Sequence, residues 1–380
     1  MTALAHAGLY WFGCALAAGA MIYAAAAYIA IIARPRPQSF RAAAVLPPVT
    51  VLKPLCGAEP ETYECLRSFC VQSYPDFQVI FGVRDPNDPA AAVVARLQRE
   101  FPRRDLRIAV NRRQHGSSRK VSNLINMMPL ARNDFLVLSD SDVRVGPDYL
   151  AKIVAPLLDG SVGIVTCAYR GIPRQGLWPL LGSMFINEWF IPSVRVAALG
   201  GSRAFAFGAT IAIRRQILHR IGGFPSVADQ LADDYRLGEL TRALGLRTVL
   251  SEVEVETCVV DRTFADLVRH ELRWLRTIRA IRPIAYCFSF VTFGVPVAAV
   301  GVVLAGGAAP AVAMLIGAAA ARILMHFSTR GPGSPAHRLA VLPLRDTLSL
   351  SLWIWSFFTR RVHWRDELYR VSRDGSVQPV

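Results

Sequence analysis

Residues 135–142 read Phe135-Leu136-Val137-Leu138-Ser139-Asp140-Ser141-Asp142. A short apolar run bounded by polar residues has the length and composition of a buried strand, and two carboxylates one residue apart follow it at once. The same grammar recurs upstream. Residues 49–55 form a strand-like run, 59–71 have helical spacing, and 77–83 form a second strand that ends at Arg84-Asp85. A helix over 86–101, a strand over 106–110 and a helix over 120–128 complete the alternation, which is the pattern of an α/β fold. In such sheets ligands bind beyond the carboxyl ends of the strands, and both acidic clusters stand at that edge. Neither GxGxxG after the first strand nor GxxxxGKS/T occurs, so phosphate must be handled without a Gly-rich loop. An Asp-x-Asp at a strand end offers oxygens to a hard divalent cation, which neutralises a nucleotide diphosphate. On an extended segment residues one apart face the same side, so Asp140 and Asp142 are expected to converge on one ion. The plainer alternative is that Asp142 or Asp148 caps the helix that begins near Pro147.

Composition narrows the class further. The 380 residues carry 43 Lys plus Arg against 28 Asp plus Glu, a formal charge of +15, and 53% are hydrophobic. That is too apolar for an ordinary soluble enzyme, and it excludes disorder and fibrous repeats. At about 150 residues per domain the length admits roughly two units. Basic charge beside apolar tracts suits an anionic membrane surface better than nucleic acid, and no nucleic-acid partner is expected. Residues 10–32 hold no charge and exceed the roughly 20 residues that a bilayer core requires. With no Lys or Arg in residues 1–8, and a run longer than a signal peptide's, they read as a retained anchor. Arg34, Arg36 and Arg41 follow the anchor, which by the positive-inside rule puts the chain after it in the cytoplasm.

A second apolar block, 284–327, is interrupted near Gly306, Gly307 and Pro310 and reads as a helical hairpin of two spans. A third tract, 339–358, contains Arg345 and Asp346, and ions inside a span are usually paired or functional. Arg330 and Arg338 precede it and Arg360, Arg361 and Arg365 follow, which favours a re-entrant or interfacial element over a crossing. The resulting division is an anchor (1–35), a catalytic α/β domain (46–262), an amphipathic interfacial helix (263–283), a membrane hairpin plus third segment (284–358) and a basic cytoplasmic tail (359–380). Seven cysteines, at 14, 56, 65, 70, 167, 258 and 287, include no CxxC. They read as small buried hydrophobes in a reducing compartment.

Four motifs occur in order: Gly82-Val83-Arg84-Asp85, Asp140-Ser141-Asp142, Asp233-Asp234-Tyr235 and His270-Glu271-Leu272-Arg273-Trp274. In that order, between an anchor and a hairpin, the chain resembles processive-type GT-A glycosyltransferases. It resembles above all the ceramide glucosyltransferase family and its bacterial hopanoid-biosynthesis relatives, from Val49 to Tyr369. The resemblance implies a GT-A nucleotide-diphospho-sugar transferase domain with an N-terminal transmembrane helix and a C-terminal membrane helix bundle. It implies a UDP-sugar donor, Mg²⁺ or Mn²⁺ as cofactor, and a membrane lipid acceptor, ceramide or a hopanoid.

By likeness to the family, Asp85 would accept hydrogen bonds from the donor's uridine, although an aspartate before Pro86 is also an ordinary turn residue. Asp140 and Asp142 would hold the metal and, through it, the diphosphate. Asp234 would be the general base that takes the acceptor hydroxyl's proton, with inversion at the anomeric carbon. Asp233 would assist or orient it, or simply cap the helix that starts there. Lys120 and Asn123 match a stretch that helps to hold the nucleotide, with Ser118 where the pattern often has Asn. The last motif falls on a helix over 264–279. Arg273 is expected on the diphosphate and Trp274 near sugar or acceptor, while His270 stands where the family has Gln or Arg and could still donate to phosphate. Snorkelling Arg and interfacial Trp at a membrane surface explain the same residues without catalysis.

Residues 177–199 concentrate aromatics, among them Trp178, Trp189 and Phe190. Against lipid headgroups they would wall the acceptor's path to Asp234, and otherwise they form a core helix. Small residues over 200–210 would allow close approach of a sugar ring to backbone, and Gly222-Gly223 reads as a turn aiming the helix of Asp233. Two other functions compete: a processive polysaccharide synthase, which needs more spans, and a non-enzymatic membrane scaffold whose acidic clusters are structural.

Overall fold

The computed structural model describes residues 3–33, 46–329, 336–359, 361–364, 367–372 and 376–379. The chain forms two compact units, each assembled from separate pieces. An α/β unit gathers Arg36–Arg174, Ser202–Val259 and Tyr369–Val380, and a helical unit gathers Met1–Pro35, Gln175–Gly201 and Val260–Leu368. Residues 175–201, inside the expected catalytic stretch, therefore fold with the apolar helices.

In the α/β unit the strands are β1 (Val49–Pro54), β2 (Phe77–Val83), β3 (Asp105–Val110), β4 (Phe135–Leu138), β5 (Val143–Arg144), β6 (Val162–Thr166), β7 (Tyr169–Pro173), β8 (Ile211–Arg214), β9 (Arg247–Leu250) and β10 (Val255–Val259). Seven of them make one sheet in the order β3-β2-β1-β4-β8-β6-β9. It is parallel from β3 to β4, and β8 runs antiparallel to both its neighbours. Every residue of β2 is buried, as expected for a strand covered on both faces. Alternate residues supply the two faces. Val51, Phe81 and Val137 join a core with Phe69 and Tyr149, while Leu52, Ile80 and Leu136 join one with Leu124 and Ile213. The helix starts are chemically marked: Asp88 caps Pro89–Glu100 by accepting from the Ala90 N–H at 2.9 Å, and Ser118 caps Arg119–Met127 by accepting from Val121, each satisfying an otherwise orphaned donor. Because β1, β2 and β4 are parallel, their carboxyl ends share one edge.

A smaller sheet, β5-β10-β7, lies beyond that edge. Thr257 is paired with Val143 and Glu256 with Arg144, which sets β10 against the Asp140–Asp142 segment.

In the helical unit Ala3–Ile32 and Ala309–Thr329 contain the stretches long and apolar enough to cross a membrane, by length and composition. The hairpin expectation is corrected in its first arm: Pro283–Thr292 and Gly294–Leu304 form a pair bent by 79°, not one straight span. The bend falls where Pro296 occupies the first turn of the second piece, a position that tolerates its missing N–H. The turn between the arms does lie at Gly306 and Gly307, both at positive φ. Gly301 packs on the first helix so closely that a Cβ there would sit 2.6 Å from the Gly13 carbonyl oxygen, a small-residue contact of the kind that lets membrane helices approach. Leu342–Ser356, at 15 residues, is shorter than a crossing requires. Arg34, Arg36, Arg41, Arg330, Arg360 and Arg365 lie outside the described residues, as does the side chain of Arg338.

Candidate active site

Beyond β4 the backbone does not stay extended. Residues 141–142 form a turn, and the Val143 N–H donates to the Asp140 carbonyl at 3.4 Å. The extended geometry expected to aim both carboxylates at one ion is therefore absent, and the two carboxylates take different partners. Asp140 Oδ1 lies 2.7 Å from Lys120 Nζ. Asp142 is exposed and accepts from the Thr257 hydroxyl at 2.6 Å, while its carbonyl accepts from the Cys258 N–H and the Cys65 thiol.

Lys120 is placed by the capped start of Arg119–Met127 and by the loop before it. The Ser118 N–H donates to the Ala228 carbonyl at 2.8 Å, and the Ser117 N–H donates to Asp229 at 2.7 Å. That lacing carries Lys120 to the helix Asp233–Ala243, where its Nζ is 3.5 Å from Asp233 Oδ2. Asp233 is buried and makes no side-chain cap; the N-cap position is Ala232. Asp234 Oδ2 accepts from the Gly208 N–H at 2.7 Å, and its Oδ1 accepts from the Tyr235 N–H at 2.7 Å.

Gly208 is the point of convergence. A Cβ added there would lie 3.1 Å from Lys120 Nζ, 3.3 Å from Asp140 Oδ2 and 3.4 Å from Asp234 Oδ2. Three carboxylates thus surround one ammonium. Burial, with the neighbouring Asp233 charge, raises the Asp234 carboxyl to about 6, and burial raises Asp233 as well, against the pull of Lys120. Burial opposes the charge on Lys120, yet Asp140, Asp233 and Asp234 together hold its ammonium above the ordinary lysine value.

Lys53 is not among the residues that the sequence points to at the site. It is fully buried at the end of β1, lies over the Phe69 ring at 3.9 Å, and donates to the Asp140 carbonyl and to Ser139. Burial lowers its ammonium to about 8 despite the nearby Cys65 and the Asp142 and Asp140 carboxylates. A lysine within an otherwise apolar strand, aimed past the strand end, was the visible signal. Asn123 is buried and joins strand ends, donating to Gly82 O at 2.7 Å and Leu55 O at 3.4 Å. Asp85 stands apart: it accepts from the Asn87 N–H at 2.9 Å and pairs with Arg112, which is the turn arrangement.

The other expected residues belong to the helical unit. His270 approaches Asp261 at 3.4 Å and Trp274 edge-on at 4.7 Å. They lie with Arg273 on Phe264–Ile281, which has a capping box of Thr263 and Asp266. Its apolar stripe is covered by protein, including Phe185, Tyr286 and Leu352. Trp189 stacks between Phe185 and Phe293 and donates to Thr292 at 2.8 Å, Trp178 meets Phe264, and Phe190 packs against Ala27, Ile31 and Met325.

Arg345 and Asp346, expected from sequence to be paired or functional, are both paired, and their partners are residues that the sequence does not single out. Arg322 lies 2.7 Å from Glu188 and makes a two-pronged contact with Asp346, while His326 Nδ1 is 2.8 Å from Glu188. Arg345 and Glu271 form a further buried pair, with Nη1 and Nη2 at 2.7 and 2.8 Å from the two carboxylate oxygens.

Among the described residues no cluster of three or more His, Cys, Asp or Glu side chains is arranged to hold a metal ion. The Asp140 and Asp142 turn nevertheless fits a hard divalent cation in chemistry. Both donors are carboxylates, both are accessible, and anionic charge around Lys120 exceeds cationic charge.

The model of glycosyl transferase family 21 matches residues 10–377. Ceramide glucosyltransferase 1 of Caenorhabditis elegans is 23% identical over 241 residues, covering 63% of this chain and 51% of that protein. The ceramide glucosyltransferase of Komagataella phaffii is 35% identical over 113 residues, 29% of this chain and 22% of that one. An N-acetylglucosaminyltransferase of Bradyrhizobium diazoefficiens is 24% identical over 248 residues, 62% and 50% of the two chains. The matched part of the chain thus spans about half the length, or less, of these relatives. In structure the chain is similar to a mannosyltransferase from Pyrobaculum calidifontis in complex with GDP-Man and Mn²⁺, with a TM-score of 0.60, 22% identity and coverage of 92% and 97%. That likeness shows the fold, a GT-A type α/β domain with membrane helices.

Proposed function

Since the chain belongs to glycosyl transferase family 21, we propose that it moves a hexose, glucose or N-acetylglucosamine, from a UDP-sugar to a hydroxyl of a membrane lipid, ceramide or a hopanoid. The observation that carries this reading is the convergence of Lys120, Asp140 and Asp234 on Gly208. Asp234 is the general base. The acceptor oxygen forms its bond to the anomeric carbon as the bond to the diphosphate breaks, and the hydroxyl proton passes to the Asp234 carboxylate. Attack from the face opposite the leaving group inverts the centre. A carboxyl raised to about 6 is ionised at neutral pH yet more basic than a free aspartate, which suits a base working near that pH. The Gly208 and Tyr235 N–H groups fix its plane, and Asp233 with Lys120 sets its electrostatics.

Mg²⁺ or Mn²⁺, held by Asp140 and Asp142, would neutralise the diphosphate of the donor as it departs. Lys53 steadies that turn from below by its bond to the Asp140 carbonyl. We place the protein in a bacterial-type inner membrane on its likeness to bacterial relatives, with the stretch after the anchor facing the cytoplasm on the Arg34, Arg36 and Arg41 asymmetry. Asp85, Asn123, His270, Arg273 and Trp274 remain donor-side assignments, and Trp178, Trp189 and Phe190 acceptor-side ones, by family likeness.

The test is transfer from UDP-[¹⁴C]glucose or UDP-[¹⁴C]GlcNAc with Mn²⁺ to vesicles carrying ceramide or a hopanoid polyol, read by lipid chromatography and mass. One hexosyl or N-acetylhexosaminyl lipid is expected. Asp234→Ala should lower transfer about 10²–10⁴-fold, the range of general-base catalysis, with donor binding largely kept, and Asp142→Ala should weaken Mn²⁺-dependent donor binding. Normal transfer by both variants overturns the site. A long glycan product establishes the processive synthase instead.

A further inference from the structure

Of the seven cysteines, none of which forms a disulfide here, two face each other. Cys65 Sγ, on the helix Thr62–Cys70, lies 3.7 Å from Cys258 Sγ on β10. Both touch one atom: the Asp142 carbonyl oxygen accepts from the Cys65 thiol at 3.4 Å and from the Cys258 N–H at 3.2 Å. The neighbouring Thr257 holds the Asp142 carboxylate at 2.6 Å. Asp142 is thus clamped at main chain and side chain by a segment carrying one of the two sulfurs. Cys65 is buried, whereas Cys258 is half-buried, so one sulfur is reachable and the other stands behind it as a resolving thiol.

We propose that Cys65 and Cys258 are a reversible thiol–disulfide site that controls the Asp142 turn, oxidation loosening its hold on a divalent cation and the diphosphate it carries; this rests on the donor-site reading above. The oxidant is a small disulfide such as glutathione disulfide. Cys258 sulfur attacks it, releasing one glutathione thiolate and forming a mixed disulfide. Cys65 sulfur then attacks the Cys258 sulfur, releasing the second. Two protein thiols become one disulfide, and the two thiol protons pass to the two glutathione thiolates. Bonded sulfurs sit about 2 Å apart, so the pair must close by more than 1 Å, drawing β10 toward the helix. The Cys65 S–H donor to Asp142 is lost at the same time. Linkage requires the reverse as well: Mn²⁺ with UDP bound at the turn resists disulfide formation by the same factor.

The experiment uses the full chain in detergent, treated with glutathione disulfide, with exposed Cys56 as an internal check that the oxidant reacts. Expected results are a cross-linked peptide joining Cys65 and Cys258, at least fivefold faster amide exchange over residues 140–144, and an at least fivefold weaker Mn²⁺-dependent binding of UDP. Dithiothreitol should reverse all three, and Cys65→Ser and Cys258→Ser should be insensitive to the oxidant. Glutathione on Cys56 without the cross-link overturns the proposal, as does a cross-link that leaves exchange and UDP binding unchanged. If cross-link and exchange respond as expected while reduced protein binds no UDP, the thiol pair is supported and the donor-site reading falls.

Discussion

Around Lys120 one ammonium meets three carboxylates, Asp140, Asp233 and Asp234, whereas around Arg322 one guanidinium meets two, Glu188 and Asp346, with His326 hydrogen-bonded to Glu188. The first cluster keeps an excess of negative charge, reaches solvent through Asp140, whose side chain is 37% exposed, and raises one carboxyl to about 6. The second saturates its guanidinium with near-ideal two-pronged geometry, and its four side chains are between 1% and 16% exposed. Uncompensated charge costs folding energy and is retained where chemistry uses it. Compensated charge inside an apolar bundle fixes which helices meet and in what register. The difference separates a site from a staple.

The largest effect is expected where the comparison is easiest to break. Arg322→Met leaves Glu188 and Asp346 buried without their cation, and removing one partner of a buried ionic set costs about 3–5 kcal/mol. Thermal unfolding in detergent should show a large fall in Tm, and adding Glu188→Gln and Asp346→Asn to Arg322→Met should return most of it. Wild-type stability of the single variant would mean that the second cluster is as open as the first.

The Lys120 cluster should respond with the opposite sign. Asp234 has a folded value near 6 against 3.8 unfolded, so ionising it is disfavoured in the folded state, and this penalty is absent below about pH 4 and complete above about pH 6. Asp234→Asn keeps an acceptor for the Gly208 N–H, gives up the one for the Tyr235 N–H, and removes the penalty. Stability should therefore rise at pH 8 by at most about 3 kcal/mol, from 1.36 kcal/mol per pKa unit, and the gain should vanish at pH 4. Chemical denaturation at the two pH values measures it, and a loss of stability at pH 8 would show that the cluster is as well compensated as the staple.

How much of each cluster the sequence displays follows from the range of the interactions. The strands that aim Asp140 are legible because buried apolar runs ending in turn residues are local signals, and β1, β2 and β4 fall within a residue or so of their expected bounds. Lys120, Asp140 and Asp234 stand out as charged residues at element ends. Lys53 shows its chemistry only once β1 and β4 are neighbours, and the turn at 140–143 depends on β10, which is more than a hundred residues away. The staple is less visible still. Arg322 and His326 sit one helical turn apart in an apolar run, a local hint, but their partner Glu188 is 134 and 138 residues distant. For the same reason 175–201 reads as part of the α/β stretch in sequence and folds with the apolar helices. Periodicity reports which face of an element is apolar, not which distant charge will meet it.

The smallest effect separates crowding from charge at the open cluster. Gly208 has ordinary backbone angles, so strain is not the issue; space is. A methyl group 3.1 Å from Lys120 Nζ and 3.3 Å from Asp140 Oδ2 would displace those two flexible polar tips by a few tenths of an ångström, while it meets Asp234 Oδ2 at 3.4 Å and keeps the Gly208 N–H donor. Gly208→Ala should leave the unfolding free energy within about 1 kcal/mol of wild type, because surface-connected polar tips yield cheaply, yet reduce transfer about three- to tenfold, since small displacements of reacting groups are costly in rate. Steady-state kinetics with the UDP-sugar varied should place the loss in kcat more than in KM. An unchanged kcat would show that the geometry around Asp234 tolerates slack that the two-pronged contact of Arg322 with Asp346 does not need to test.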